Sequence, residues 1–167
     1  MLKTNLDEEK AILAHLSKLL FTFDFRKNGR TFYKKVDGII QLVRFRRHTF
    51  LECFFIDFGV YFTEVEDIRK YRISSSDMWH LYCNLGVFNA LFRPFVDFNY
   101  FRENDKKVFE TLDLEFIDHV IPFLNNLSDL DFIYSDLMKE ENLRLITPKN
   151  SDVWNKIRSL ADQKRKV

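Results

Sequence analysis

The chain has 167 residues, 46% of them apolar and 31% charged, with a formal net charge of +1. A domain of this length buries roughly 70% of the surface its unfolded chain exposes, so one core can form without staples. Near-neutral charge leaves attraction of the whole molecule to nucleic acid or anionic lipid without support, and no apolar run reaches membrane-spanning length.

Residues 5 to 20 are predicted to form a helix. Asn5 can cap it, Asp7, Glu8 and Glu9 fill the first turn, and Ile12, Leu13, Leu16, Leu19 and Leu20 make one apolar stripe. Those early acids and the lack of an apolar run in Met1 to Lys10 are unlike a secretory leader. Phe21, Phe23 and Phe25 then alternate with polar residues.

Gly29 to Phe62 reads as a three-stranded antiparallel meander opened by Asn28-Gly29. Asp37-Gly38 suits a two-residue type I′ turn, which requires positive φ. Thr31 to Val36 leads in, Ile39 to Arg47 leads back, and Leu51 to Phe62 follows a short loop, His48 to Phe50. From Arg26 to Thr49 there are eight Lys or Arg against one acid, whereas Glu103 to Glu141 holds eleven acids against three Lys. A basic sheet complemented by acidic helices is the preferred reading over a basic docking surface.

The run FDFRKNGRTFYKK, following the leucine-rich helix, and the later FFIDFGVYF resemble a family of small, mostly bacterial proteins catalogued as a domain of unknown function. Its members carry a G-F-x-K-x-G-x-x-F-Y-[KR] opening and an F-x-I-N-x-G strand. Phe25, Lys27, Gly29, Phe32, Tyr33 and Lys34 match the first, and Phe54, Ile56 and Gly59 the second. Asp24 stands in place of the first glycine and Asp57 in place of the asparagine. The resemblance is strongest over residues 5 to 62. It implies a compact cytoplasmic domain and brings no activity and no catalytic residue.

Thr63 to Ser76 is a polar connection. Trp79, Leu81, Cys83, Leu85 and Val87 alternate with polar residues or glycine, which favours a fourth strand over a helix capped by Ser76 or Asp77. Phe95 to Tyr100, after Pro94, is a candidate fifth, edge strand. The last third is helical: Phe109, Leu112, Phe116, Ile117, Val120 and Leu124 keep helical spacing, and Pro122 should kink or break that helix. Ser128, with Asp131 in capping-box position, should start another helix with Leu130, Ile133, Tyr134 and Leu137 on its buried face. Ser151 should cap a final helix carrying Val153, Trp154, Ile157, Leu160 and Ala161, with Lys164, Arg165 and Lys166 at its solvated end.

Chemistry is sparse. The histidines His15, His48, His80 and His119 share no ligand spacing, and Cys53 and Cys83 belong to no CxxC pair. No G-x-S-x-G or phosphate-binding glycine loop is present. No catalytic residue, metal or cofactor is therefore predicted, and both thiols read as buried, inert and reduced, in a cytoplasmic protein. Arg30, Phe32, Tyr33, Lys34, Arg44, Phe45 and Arg46 interleave cations with aromatics as RNA-binding sheets do, but the RNP pattern is absent and strand Phe residues are more often core.

One constellation follows from register. A two-residue turn at Asp37-Gly38 pairs Lys34 with Gln41, and a three-residue loop at His48 to Phe50 would pair Gln41 with Asp57. Lys34, Gln41 and Asp57 would then form a polar row on an otherwise apolar face. Either they satisfy one another, the preferred reading, or they contact a polar ligand. They are the candidate ligand-binding residues.

The fold class expected is α+β over residues 1–167 as one domain, with a core at about 5–141 and a C-terminal helix at about 151–165. It comprises an N-terminal helix, an antiparallel sheet of four to five strands, and C-terminal helices on one sheet face. The function expected is a non-catalytic binding or interaction module using the uncovered sheet face. A small enzyme or ligand-binding domain with a sheet-lined polar cleft around Asp57 is the alternative. Protein partners or self-association would use the sheet face or the Trp154 helix; nucleic acid and membrane are disfavoured.

Overall fold

The computed structural model of the chain describes residues 5–65, 79–133, 135, 147–148 and 151–164. Helix α1 (Leu6–Phe21) leads into β1 (Arg26–Asn28), β2 (Thr31–Val36), β3 (Ile39–Arg47), β4 (Phe54–Phe62) and β5 (Leu81–Asn84). These five antiparallel strands lie in sequence order, and a two-residue strand, β6 (Thr147–Pro148), extends the sheet beyond β5. After β5 come a short helix α2 (Leu85–Phe88), a 3₁₀ segment (Ala90–Val96), helix α3 (Phe98–Glu115), a π-helical turn (Phe116–Val120) and α4 (Ile121–Asn126). One helical turn, α5 (Leu130–Phe132), and the final helix α6 (Ser151–Lys164) complete the described chain. The fold is α+β, with the helices on one face of the sheet.

The core lies between that face and the helices. Phe32, Val43, Phe45, Phe54, Ile56, Phe58, Val60, Phe62 and Leu81 project from the strands, and Ile12, Leu16, Leu20, Val108, Leu112, Phe116 and Leu124 meet them from the helices. The apolar stripe of α1 is buried at Ile12, Leu16 and Leu20, with Leu13 and Leu19 at its margins. The abundance of Phe serves this layer: Phe54 sits between Phe45 and Phe98 at centroid distances of 5.4 and 5.3 Å.

The Asp37-Gly38 turn forms as expected, with φ of 40° and 80° and Val36 opposite Ile39. Asn28-Gly29 does more than open the meander. It belongs to a further hairpin, with Asn28 paired to Thr31 and Gly29 at φ 60°. Asp24 adopts φ 65°, a left-handed conformation that aspartate tolerates better than most residues. Gly59 is required for a different reason. A Cβ there would come within 2.2 Å of the Leu81 carbonyl oxygen, so the β4–β5 approach depends on its absence.

Several boundaries differ from the sequence expectation. The β3–β4 connection runs from His48 to Cys53, closed by a hydrogen bond from the His48 N–H to the Cys53 carbonyl (3.0 Å). Strand and helix share the segment after Trp79: Leu81–Asn84 is strand, then Asn84 caps α2 by accepting from the Gly86 N–H (2.9 Å). Phe95 to Tyr100 is not an edge strand. Asp97 makes an isolated bridge to Cys53, then caps α3 by accepting from the N–H groups of Asn99 and Tyr100. Pro122, which lacks an N–H, follows a π-helical turn that absorbs the disruption without ending the helical run. Asp129, not Ser128, caps α5 (2.8 Å to the Asp131 N–H), because the Ser128 hydroxyl donates to the Leu124 carbonyl instead. Asn5 stands at the start of α1 but makes no side-chain cap; its Oδ1 accepts from Arg102. In α6, Val153, Ile157 and Ala161 are buried and Trp154 is half-buried. Tyr134 and Leu137 lie outside the described residues.

Candidate functional site

Register decides which side chains can act together. Lys34 pairs with Gln41 as expected, but Gln41 lies opposite Val60, and Asp57 opposite Arg44 and Asn84. The β3–β4 pairing is three residues away from the expected one. An odd displacement moves every side chain to the other face, so Asp57 lies on the opposite side of the sheet from Lys34 and Gln41. The row Lys34, Gln41, Asp57 does not exist.

Gln41 faces the helices and is 2% exposed. Its Nε2 lies 3.1 Å from the Leu124 carbonyl, 3.1 Å from Asn125 Oδ1 and 2.9 Å from Ser128 Oγ. The amide thus serves a carbonyl at the C-terminal end of α4, where the helix itself supplies no donor. Lys34, half-buried, stands at the outer end of the same row.

On the other face the row is Thr31, Arg44, Asp57, Asn84. Asp57 is 1% exposed. Its carboxylate accepts from Arg46 at both oxygens, with Nη2 3.1 Å from Oδ1, and Asn84 Nδ2 donates to Oδ1 at 3.0 Å. The two-pronged grip matches the planar guanidinium to the carboxylate. Arg46 also lies over the Phe55 ring, 5.2 Å from its centroid. With its side chain 41% exposed, Arg46 presents its guanidinium at the surface while the buried Asp57 fixes its orientation. This arrangement suits holding a cation in place for recognition; as both oxygens are engaged by donors, Asp57 is poorly set up as a proton acceptor.

The second face is not uniformly uncovered. Ile40, Leu42, Tyr61 and Trp79 form a small buried cluster on it, flanked by Tyr33 and Tyr82. His80 is buried against this cluster, stacked on Tyr61 at 4.1 Å, with Nδ1 accepting from the Phe62 N–H at 2.9 Å. What reaches the surface here is a mixed band of partly exposed residues: Tyr33, Arg44, Arg46, Phe55, Tyr82 and Asn84.

Cations and aromatics interleaved in the sequence therefore separate by parity. Phe32 and Phe45 are core, Arg30 is held by Glu9, and Tyr33, Arg44 and Arg46 share the second face. Of the other histidines, His15 Nε2 contacts Asp113 Oδ1 at 2.7 Å and stacks on Phe109, and His48 Nδ1 accepts from the Phe50 and Leu51 N–H groups. Burial raises the Cys83 thiol to about 12, a backbone hydrogen bond at Asn84 opposing and Asp57 adding to the shift; burial and then Asp97 raise Cys53 as well. Among the described residues, no three His, Cys, Asp or Glu gather in a metal-binding group, and no helix is long and apolar enough to cross a membrane.

A family model described as Domain of unknown function (DUF4304) matches residues 16–126, from the middle of α1 to the end of α4. That span holds the whole β1–β5 meander and the Arg46–Asp57–Asn84 network. No curated protein and no solved structure matches.

Proposed function

Since the chain belongs to the DUF4304 family, whose description carries no activity, we propose a function from its geometry: a non-catalytic binding domain whose partner docks on the second face of the sheet. The observation that carries this reading is the Arg46 guanidinium, held at the surface by a buried carboxylate beside Phe55. Orienting a charged, planar donor next to an aromatic ring before a ligand arrives reduces the entropy lost on binding. Arg and Tyr, both present on this face, are also side chains enriched where proteins make contact. Both cysteines are free, which is in keeping with a domain that works in the reducing cytoplasm.

The test is affinity capture with the full chain from cells that make it, using wild type, Tyr33→Ala/Phe55→Ala and, as control, Leu114→Ala/Ile117→Ala on the exposed helical side. Interactors kept by wild type and control but lost from the sheet variant are expected. Loss with the helical variant alone would refute the assignment of the face.

A further inference from the structure

We propose that one corner of this face, where β1 begins against β2, binds a multiply charged oxyanion, a phosphate or a polycarboxylate; this rests on the reading of the second face as the binding surface and adds the ligand's chemistry. A cavity of about 420 Å³ opens there, lined by Asp24, Arg26, Tyr33, Lys34 and Lys35. Small-ligand sites span roughly 300–1,000 Å³, so the space suits a small molecule or the charged end of a larger one.

The backbone brings these residues together. β1 begins at Arg26, which pairs with Tyr33, so β2 runs on past it through Lys34 and Lys35 with, among the described residues, no strand on its β1 side. Arg26 and Tyr33 share the second face, and Lys35, two residues beyond Tyr33, is diagonal to Arg26 on it; Lys34 belongs to the helix face and borders the cavity across the edge of β2. Asp24, in a left-handed conformation just before β1, lines the same cavity.

Charge then distinguishes the corner from the rest of the basic sheet. Of the sheet's other cations, Arg30 is held by Glu9, Arg46 by Asp57, and Lys27 by the Ser17 hydroxyl (3.0 Å) and the Phe32 ring (5.6 Å), while Arg47 stands exposed by itself at the far end of β3. Among the described residues, Arg26, Lys34 and Lys35 make no ion pair, and those that line the cavity set three cations against one carboxylate, Asp24. An uncompensated cluster of like charges is relieved by an anion. Arg26 contributes a planar fork for two oxygens, the lysines contribute movable point charges, and the Tyr33 hydroxyl can donate or accept.

The experiment titrates ¹⁵N-labelled full-length chain with pyrophosphate and, separately, with citrate, followed by amide shifts at low and high salt. Saturable shifts confined to residues 24–35, with a dissociation constant on the order of 1 mM or tighter, are expected with at least one probe. They should weaken as salt rises. The tighter probe identifies phosphate or carboxylate as the preferred group. Arg26→Gln/Lys35→Gln should weaken binding by about tenfold at an unchanged melting temperature, since both side chains are exposed. Unsaturable shifts, shifts spread equally over Arg47, Lys106 and Lys107, or a double variant that binds like wild type would each overturn the site. A flat titration alongside partner loss in Tyr33→Ala/Phe55→Ala removes the oxyanion site and leaves the binding face standing. Saturation at the corner alongside undiminished capture does the reverse.

Discussion

Asp57→Asn isolates what the buried carboxylate contributes. The substitution preserves shape but replaces one acceptor oxygen with an NH₂ group. Three donor contacts converge on the carboxylate, two from Arg46 and one from Asn84. The new amide must therefore point a donor at a donor on at least one side. Hydrogen bonds to a charged group contribute about 1.5–3 kcal/mol each, and breaking a fully buried ion pair costs about 3–5 kcal/mol. Arg46 is 41% exposed and can turn toward water, which discounts the larger figure. A net loss of about 2–3 kcal/mol remains, or a fall in Tm of roughly 5–10 °C for a chain of this length. Urea unfolding and thermal melts on wild type, Asp57→Asn, Arg46→Gln and the double variant measure it. Arg46→Gln should cost at least as much, about 2–4 kcal/mol, because it removes the guanidinium that neutralises a carboxylate only 1% exposed. The coupling between the two sites should be about 1 kcal/mol or more. An Asp57→Asn protein melting within about 1 °C of wild type would refute the network as a stabilising and orienting device, and with it the observation on which the proposed binding face rests.

Other outcomes follow from single positions. Gly38→Val places a β-branched side chain at φ 80°, with Glu64 Oε1 3.3 Å from the new Cβ; unfolding should show a loss of about 1–3 kcal/mol. Cys83, raised to about 12 when folded from an ordinary value of 9.0, keeps its proton where the unfolded thiol has released it. Unfolding then releases a proton, so stability should fall as pH rises from 9 toward 12 and stay flat below, and Cys83→Ala should remove that slope in urea melts. In the native protein at pH 8 neither cysteine should react readily with a thiol reagent, Cys83 least of all. Truncation after Pro148 removes the buried Val153, Ile157 and Ala161. At roughly 1.5–3 kcal/mol for each large aliphatic side chain, the shortened chain should melt lower or self-associate in sedimentation.

The meander's first turns were legible because local chemistry determines them. Asp37-Gly38 needs positive φ at two positions and has the residues for it; the strand lengths around it follow. Caps were less legible, since Ser128 and Asp129 are adjacent candidates and the choice rests on a hydroxyl bond back to Leu124. The β3–β4 loop was not legible at all. His48 to Cys53 contains no glycine or proline, and its length is set by contacts distant in sequence: Cys53 bridges to Asp97 and the Phe98 N–H bonds the Glu52 carbonyl (2.9 Å).

Yet the parity of β4 was readable without the loop. Phe54, Ile56, Phe58, Val60 and Phe62 form one uniformly apolar set, whereas Phe55, Asp57, Gly59 and Tyr61 form a mixed one. In β3 the set Ile39, Gln41, Val43, Phe45 carries one neutral amide, and the other set carries Arg44 and Arg46. Burying a carboxylate among apolar residues costs more than burying an amide that finds partners, so the uniform β4 set belongs with Gln41 under the helices. Asp57 is then left on the side of Arg44 and Arg46. A three-residue loop would have brought Asp57 beneath the helices opposite Gln41 and taken it away from both arginines; the longer loop places it where a guanidinium can neutralise it. The turn chemistry favoured one parity and the electrostatics of a single aspartate the other, and the candidate binding face exists because the second prevailed.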